Sequence, residues 1–193
     1  LAQMRRKEFE AACNILNVSR GVVLDYADGQ LHRLDSYRVV SELALQMRQF
    51  RPQVVLTFGP EGGFTGHTDH SMASVFGTLA FEWAGRENRY PDQLTNGVKP
   101  YRPQKLYYAT ANSALPGRPP ITFPPATVSM DIAPYFEAKL AAFKSHTSQS
   151  PLFPLFEKHV RQGPPREMFH LVAAMNSAAL EREDDLFAGV KED

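Results

Sequence analysis

The 193-residue chain has little cysteine, no excess of charge of either sign and no long apolar run. Its one cysteine, Cys13, excludes a disulfide framework and any cysteine-based zinc finger. The 21 Lys+Arg balance the 21 Asp+Glu, so no net field attracts nucleic acid or an anionic membrane. No apolar run approaches the roughly 18 residues that a membrane-spanning helix needs. The composition therefore predicts no nucleic-acid partner and no membrane span.

What the chain does contain is typical of a globular α/β domain. Hydrophobic residues make up 43% of it, and 193 residues can enclose a substantial core, so we expect residues 1–193 to form a single domain. The run 54–58 shows no alternation of polar and apolar residues, which is typical of strands that are buried on both faces of a parallel sheet. Strands that alternate with helices predict a Rossmann-like, mainly parallel sheet flanked by helices.

The predicted elements follow from apolar spacing and from turn residues. The predicted strands are 21–25, 54–58, 105–109, 126–130 and 168–172. The predicted helices include 9–16, 37–47, 72–83 and 136–143, with a polar helix or tail at 176–187. Residues 85–104 and 150–166 are expected to be irregular.

The segment from Gly59 to His70 directly follows a predicted strand, where ligands of α/β sheets bind. One interpretation of this segment is purely structural. Thr68 or Asp69 would cap the next helix, and the glycines would form an ordinary loop. A nucleotide-binding loop is a further alternative, but the segment has neither a Walker motif nor Gly-x-Gly-x-x-Gly.

A hydrolytic metal site explains more of these residues. His70 would lie in the first helical turn, where the helix dipole keeps imidazole neutral, and neutral imidazole binds zinc. His67 can point into the same cleft, and Asp69 can fix the tautomer of an imidazole through a hydrogen bond. Gly62 and Gly63 would let a substrate approach the backbone closely.

The loop GPEGGFTGHTDH (59–70) resembles the second motif of the PIG-L/LmbE family of zinc-dependent de-N-acetylases, whose pattern is close to GxxGHPDH. Further segments match this family in order and spacing, over nearly the whole chain. They are Arg5-x-x-Glu8 followed by AACNILNV, LDYADGQL (24–31), RPQVVLTFGP (51–60), KLAAFKSHTSQ (139–149), Glu167-Met-Phe169 and DLFAG (185–189). The resemblance implies an LmbE-like fold.

The resemblance also implies roles for individual residues. His70 matches a zinc ligand, and His67 matches the histidine that stabilises or protonates the amide in the transition state. Asp69 matches the carboxylate that orients a neighbouring imidazole. Zinc, or another divalent metal such as Fe²⁺, would polarise an acetyl carbonyl and activate water, releasing acetate and a free amine.

Three further residues are predicted to bind substrate. Arg5 matches a family position that can reach the substrate from the first helix. Gly63 belongs to the loop beside the histidines. For His146, at the end of a predicted helix, a structural role and a site role are both open.

The family's first motif, close to AHPDDE, is absent from these 193 residues. In the family it supplies two more zinc ligands and the aspartate base, and His70 alone cannot hold a catalytic zinc. The chain begins with Leu1, and a folded domain that lost an inner strand would be strongly destabilised. We therefore expect the given sequence to begin after the first strand and loop of the domain. A natural truncation completed by a partner and an inactive fragment are the alternatives.

The favoured function is that of a metal-dependent hydrolase that deacetylates an N-acetylglucosamine-type conjugate, provided that the first motif exists. The alternative is a non-catalytic sugar-binding or scaffold protein on the same fold. Residues 86–104 and 111–125 are expected to contact the aglycone, and Tyr90, Tyr101 and Phe123 hint at a surface that faces a sugar. The expected compartment is the cytoplasm, and self-association is left open.

Overall fold

The computed structural model describes residues 1–95, 97–112, 120–176 and 183–192, and the chain divides into two compact units. Unit 1 comprises Leu1–Asp25 and Asp131–Glu167, and unit 2 comprises Tyr26–Met130 and Met168–Asp193. Within the described ranges, every helix is too short or too polar to traverse a bilayer.

The regular elements follow one another as helices and strands in mixed order. The helices are α1 (Ala2–Ile15), α2 (Ser36–Phe50), α3 (Thr68–Ala84), α4 (Phe136–Lys144) and α5 (Phe153–Val160). The strands are β1 (Val54–Phe58), β2 (Lys105–Thr110), β3 (Val128–Asp131) and β4 (Arg166–Ala174).

The four strands form one sheet in the order β1-β2-β4-β3. Strands β1 and β2 are parallel, whereas β4 runs antiparallel to β2. The predicted α/β class, with helices flanking a sheet, is confirmed, but the expected predominance of parallel pairing is not found. The apolar run 54–58 does pair in parallel with β2, but the local pattern of a strand does not fix the direction of β4, the other neighbour of β2.

Strand β1 lies at an edge of this sheet, with β2 as its neighbour. Leu56 is 49% exposed and Phe58 is 37% exposed, so the expected burial of this strand on both faces is wrong. The predicted strand 21–25 has no regular structure, because a strand needs a hydrogen-bonded neighbour and none of the described strands pairs with this segment.

The predicted helices 9–16, 37–47, 72–83 and 136–143 correspond to α1, α2, α3 and α4. Asn17 follows α1 with a φ of 54°, a left-handed conformation that asparagine tolerates at a helix end. The segment 150–166 is less irregular than predicted, because α5 accepts Pro154 in its first turn, where no N–H donor is needed. Part of the predicted helix or tail at 176–187 (177–182) lies outside the described residues, and 183–187 is not helical.

The core of unit 2 lies between α2, α3 and the loop that follows α3. Val40, Ala44, Phe76 and Ala80 are buried in it, together with Tyr90. Tyr90 and Tyr101 are each only 6% exposed, so the expectation that they face a sugar is wrong. The apolar body of a tyrosine contributes to a core once its hydroxyl has a partner, and the Tyr90 hydroxyl donates to the carbonyl of Tyr37.

Arg48 organises the loop after α3 from within the core. The side chain is 2% exposed and uses all five of its N–H donors. The acceptors are the backbone carbonyls of Ala84, Arg86, Arg89 and Tyr90 and the side-chain oxygen of Gln93, at 2.8–3.2 Å. The guanidinium therefore satisfies carbonyls at the end of α3 and in the loop, which would otherwise be buried without partners.

A second buried polar network fixes the segment 183–186 against the sheet. The Lys105 ammonium donates to both carboxylate oxygens of Glu183, at 2.9 and 3.0 Å, and to the Tyr107 hydroxyl. The Tyr107 hydroxyl lies 2.9 Å from a carboxylate oxygen of Glu183 and 3.2 Å from the carbonyl oxygen of Leu186, and both oxygens can accept its single proton. Burial, with the neighbouring Glu183 carboxylate, raises the pKa of Tyr107, so this hydroxyl stays a donor at neutral pH.

Candidate active site

The loop between β1 and α3 holds three glycines in the left-handed region, Gly62, Gly63 and Gly66. Gly62 needs this conformation most, because a β-carbon there would lie 2.8 Å from the Gly66 carbonyl carbon and the His67 oxygen. The chain therefore folds tightly on itself between β1 and α3. This turn places both histidines of the motif beside the carboxyl end of β1.

His67, and neither Thr68 nor Asp69, is the N-cap of α3. Its ring Nδ1 accepts a hydrogen bond from the Asp69 backbone N–H at 3.1 Å. The prediction that Thr68 or Asp69 caps α3 is wrong, because an imidazole nitrogen can also accept a hydrogen bond from an unpaired backbone N–H group at the helix start. With Nδ1 as acceptor, the neutral ring carries its proton on Nε2, and the exposed ring presents an N–H donor.

His70 has the opposite proton arrangement. Its Nδ1 lies 3.1 Å from the Gly62 carbonyl oxygen, which can only accept, so Nδ1 carries the proton. The Nε2 lone pair is then free to bind a metal or to accept a hydrogen bond. The ring stacks on Phe58 with centroids 4.1 Å apart, and its centroid is 5.4 Å from that of His67. One turn of chain thus presents a ring N–H donor and a free ring lone pair side by side.

The Asp69 carboxylate, unlike the Asp69 backbone N–H, has no imidazole partner among the described residues. It accepts from the backbone N–H of Gly29 at 2.6 Å and of Leu31 at 3.1 Å. Both oxygens are thereby used to hold the turn 28–31 against α3. The predicted orienting role therefore differs from the observed one, because the partners come from a segment about 40 residues earlier in the chain.

Gly63 is buried, and its α-carbon faces side chains. A β-carbon there would meet the Phe58 ring at 3.0 Å and the His70 Nδ1 at 3.7 Å. The expectation that this glycine leaves backbone open to a substrate is therefore not met. Its small size lets the loop pass over the stacked rings of Phe58 and His70.

The other two predicted substrate-binding residues, Arg5 and His146, belong to unit 1. Arg5 is exposed on α1. His146 follows α4 and lines a cavity of about 500 Å³, together with the ion pair of Lys139 and Glu167, whose atoms are 2.8 Å apart. The structure brings His67, Asp69, His70 and Gly63 together in unit 2.

Glu8 is a buried carboxylate in unit 1 for which the sequence predicts no separate role. It is 5% exposed and accepts from the Thr147 hydroxyl at 2.8 Å, the Ser148 N–H at 2.6 Å and the Ser148 hydroxyl at 2.7 Å. Burial raises the pKa of the Glu8 carboxyl, but the hydrogen bonds from Ser148 and Thr147 outweigh burial and hold this pKa below its ordinary value. Glu8 thus links the segments 5–18 and 139–149, which share the family resemblance.

The Glu8→Gln variant is expected to unfold at a lower temperature than the wild type at pH 7. An amide offers one acceptor oxygen, and its NH₂ group would face the donors of Ser148 and Thr147. Because the folded pKa of Glu8 is lowered, its stabilisation is complete above the unfolded value of about 4.3 and is lost as the pH falls through the folded value. The difference in Tm should therefore shrink in acid.

The control for this comparison is Glu10→Gln, because Glu10 is exposed on the same helix. Thermal melts of the three proteins at pH 7 and near pH 3 provide the measurement. A Tm difference for Glu8→Gln that is constant over this pH range would contradict a stabilising charged carboxylate.

The described residues do not form a complete metal site. Within the described ranges, no group of three or more His, Cys, Asp and Glu side chains could hold a metal ion. A catalytic zinc usually takes three protein ligands. The Nε2 atom of His70 suits one of these ligands, since its Nδ1–H already donates to a carbonyl, as in many metal-binding histidines.

Comparison with known proteins matches the first part of the chain to a family model. Residues 1–81 match PIG-L, described as GlcNAc-PI de-N-acetylase, and this match includes both histidines of the loop. Over these residues the chain is similar to the PIG-L family. The LmbE-like resemblance noted in the sequence is thereby confirmed.

Curated PIG-L relatives are similar over most of the chain. A diacetylchitobiose deacetylase from Thermococcus kodakarensis is 30% identical over 164 residues, which are 83% of this chain and 56% of the relative. A 1D-myo-inositol 2-acetamido-2-deoxy-alpha-D-glucopyranoside deacetylase from Rhodococcus opacus is 33% identical, over 81% of this chain and 61% of the relative. The chain thus spans less than two thirds of the length of these two relatives.

Solved structures of the same fold cover nearly the whole chain. The N,N'-diacetylchitobiose deacetylase from Pyrococcus horikoshii has a TM-score of 0.70 and 22% identity, covering 89% of this chain and 64% of that one. A conserved protein from Thermus thermophilus has a TM-score of 0.66 and 21% identity, covering 95% and 79%. The fold is therefore that of LmbE-like deacetylases.

Proposed function

We propose that this protein is a metal-dependent N-deacetylase that hydrolyses the acetamido group of an N-acetylglucosamine-type conjugate, producing acetate and a free amine. The observation that carries the proposal is the pair His67 and His70, whose hydrogen bonds place the proton on Nε2 of one ring and on Nδ1 of the other. A donor beside a metal ligand is a combination that amide hydrolysis can use. The names of the PIG-L relatives support the same class of substrate.

In this proposal His67 acts on the amide. Its Nε2–H would donate to the carbonyl oxygen as negative charge develops there, and could then protonate the leaving amine. The Asp69 N–H holds the His67 ring in this tautomer, and the Asp69 carboxylate keeps the turn 28–31 against α3. Asp69 is therefore a positioning residue in this proposal.

The proposal assigns the remaining predicted residues as follows. His70 is one ligand of the metal ion, which is zinc or ferrous iron, and the described residues do not supply the full donor set. Arg5 and His146 are substrate-binding residues, and the two units together form one deacetylase domain. A cytoplasmic location is part of the same proposal.

The experiment is an assay for acetate release by protein expressed from its complete gene and loaded with Zn²⁺ or Fe²⁺. The substrates are N-acetylglucosamine, N,N'-diacetylchitobiose and an N-acetylglucosaminyl inositol, with N-acetyl-lysine as a control amide. We expect acetate and primary amine in equal amounts from at least one sugar and little from the control. Absence of acetate from all three sugars would contradict the proposed substrate class and favour a sugar-binding or scaffold protein.

A further inference from the structure

Three apolar side chains flank the loop that carries His67 and His70. Phe64, from that loop, and Phe123 have ring centroids 6.1 Å apart, with the ring planes tilted by 54°. Ile121 contributes its Cδ1 methyl, 3.5 Å from the position of a β-carbon on Gly66. Phe64, Ile121 and Phe123 are called the apolar wall below.

The apolar wall is adjacent to the histidines through the backbone of the loop. Gly63, which precedes Phe64, packs against the rings of Phe58 and His70. Gly66, which directly precedes His67 in the chain, lies beside the Ile121 side chain. Phe64 is 41% exposed, so part of an aromatic ring remains accessible beside the site. An exposed aromatic ring next to polar catalytic groups is typical of a ligand-binding surface.

A pyranose ring suits such a surface. Its axial C–H groups form an apolar face that packs on an aromatic ring, while its hydroxyl groups remain solvated at the edge. The histidines would act on the acetamido group, so the apolar wall next to them would face a neighbouring part of the substrate. In a 2-acetamido sugar, the substituent on C1 is such a neighbour.

We propose that the apolar wall binds the ring attached to C1 of the amino sugar, and that Phe64 and Phe123 thereby select conjugates over the free monosaccharide. This inference rests on the proposed function and names the part of the substrate that determines specificity. Of the three residues of the apolar wall, only Phe123 is among those that the sequence marks as sugar-facing. The pairing with Phe64 is visible only in the folded chain, because the two residues are 59 positions apart.

The experiment compares N,N'-diacetylchitobiose with N-acetylglucosamine as substrates of the metal-loaded protein. For Phe64→Ala and Phe123→Ala, we expect kcat/KM for the disaccharide to fall about tenfold, with the monosaccharide value within about twofold. The matched control is Phe50→Ala. Phe50 is 56% exposed at the end of α2, which precedes β1. It therefore does not belong to the loop that carries His67 and His70, which follows β1. This control should change neither value.

A binding measurement separates this inference from the proposed function. Calorimetric titration with the chitosan disaccharide, which the enzyme cannot deacetylate further, reports on the apolar wall even if no acetate is released. We expect the same tenfold weakening in Phe64→Ala and Phe123→Ala. Equal losses for both sugars, or no loss in either assay, would overturn the inference.

Leucine variants test whether the flat ring is needed and replace any alanine variant that does not fold. Phe64→Leu and Phe123→Leu keep apolar volume, and their Tm should stay close to that of the wild type. We expect these leucine variants to show most of the fall in kcat/KM for the disaccharide that the alanine variants show, because leucine lacks an aromatic face. Full retention of disaccharide preference in both leucine variants would overturn binding by ring stacking.

Discussion

His67→Ala is expected to lower kcat about 10²–10⁴-fold while the protein retains its metal. The reason is the tautomer fixed by the Asp69 N–H, which makes the His67 ring a donor to substrate. His70→Ala is expected to lose both the metal and the activity. Its Nδ1–H is occupied by the Gly62 carbonyl, so its free Nε2 atom is the group suited to coordinate.

The two variants are measured together, by metal analysis of the purified protein and by acetate release. His159→Ala serves as the control, because His159 lies in α5 of unit 1 and has no predicted role in the site. Loss of metal in His67→Ala would make His67 a ligand instead of a donor. Unchanged metal content in His70→Ala would refute its assignment as a ligand.

Arg48→Met is expected to lower the free energy of unfolding of unit 2 by about 3 kcal/mol or more. Methionine fills much of the space but leaves four backbone carbonyls and the Gln93 side-chain oxygen without their donor. Lysine is not an adequate substitute, because its three N–H donors lack the planar geometry of the guanidinium. Arg48→Lys should therefore remain clearly less stable than the wild type.

Urea unfolding followed by the fluorescence of Trp83, the only tryptophan, measures this effect. Trp83 lies in α3 beside the loop that Arg48 holds, and its ring packs against Tyr90 with centroids 6.1 Å apart. The control is Arg38→Met on the same helix. Arg38 is 75% exposed in its side chain and pairs with Glu42 at 3.5 Å, so we expect a change within about 0.5 kcal/mol. Similar losses in both variants would contradict the role assigned to Arg48.

Several elements could be predicted from the sequence because their signals are local. Strand β1 has the predicted bounds. Helix α2 ends at Phe50, shortly before Pro52, because the residue that precedes a proline disfavours the helical conformation. His67 and His70 fall three residues apart at the start of α3, so any helix that begins there brings their rings together. The two histidines of the predicted site therefore lie side by side in the structure.

Other features could not be predicted, because they depend on residues far apart in the chain. The partners of Asp69 are Gly29 and Leu31, and no periodicity relates these positions. The pairing of Glu8 with Thr147 and Ser148 spans about 140 residues. The sequence resemblance marked both segments and could not show that a carboxylate joins them.

The sequence by itself indicated the resemblance to the PIG-L family, the α/β composition and the local motif that presents two histidines after a strand. Only the tertiary structure decided the direction of β4, the burial of Tyr90 and Tyr101, and the pairing of Phe64 with Phe123. Chain spacing fixes which side chains share a turn or a helix face. Partners from distant segments are fixed by the path of the backbone and by the need to satisfy every buried polar group.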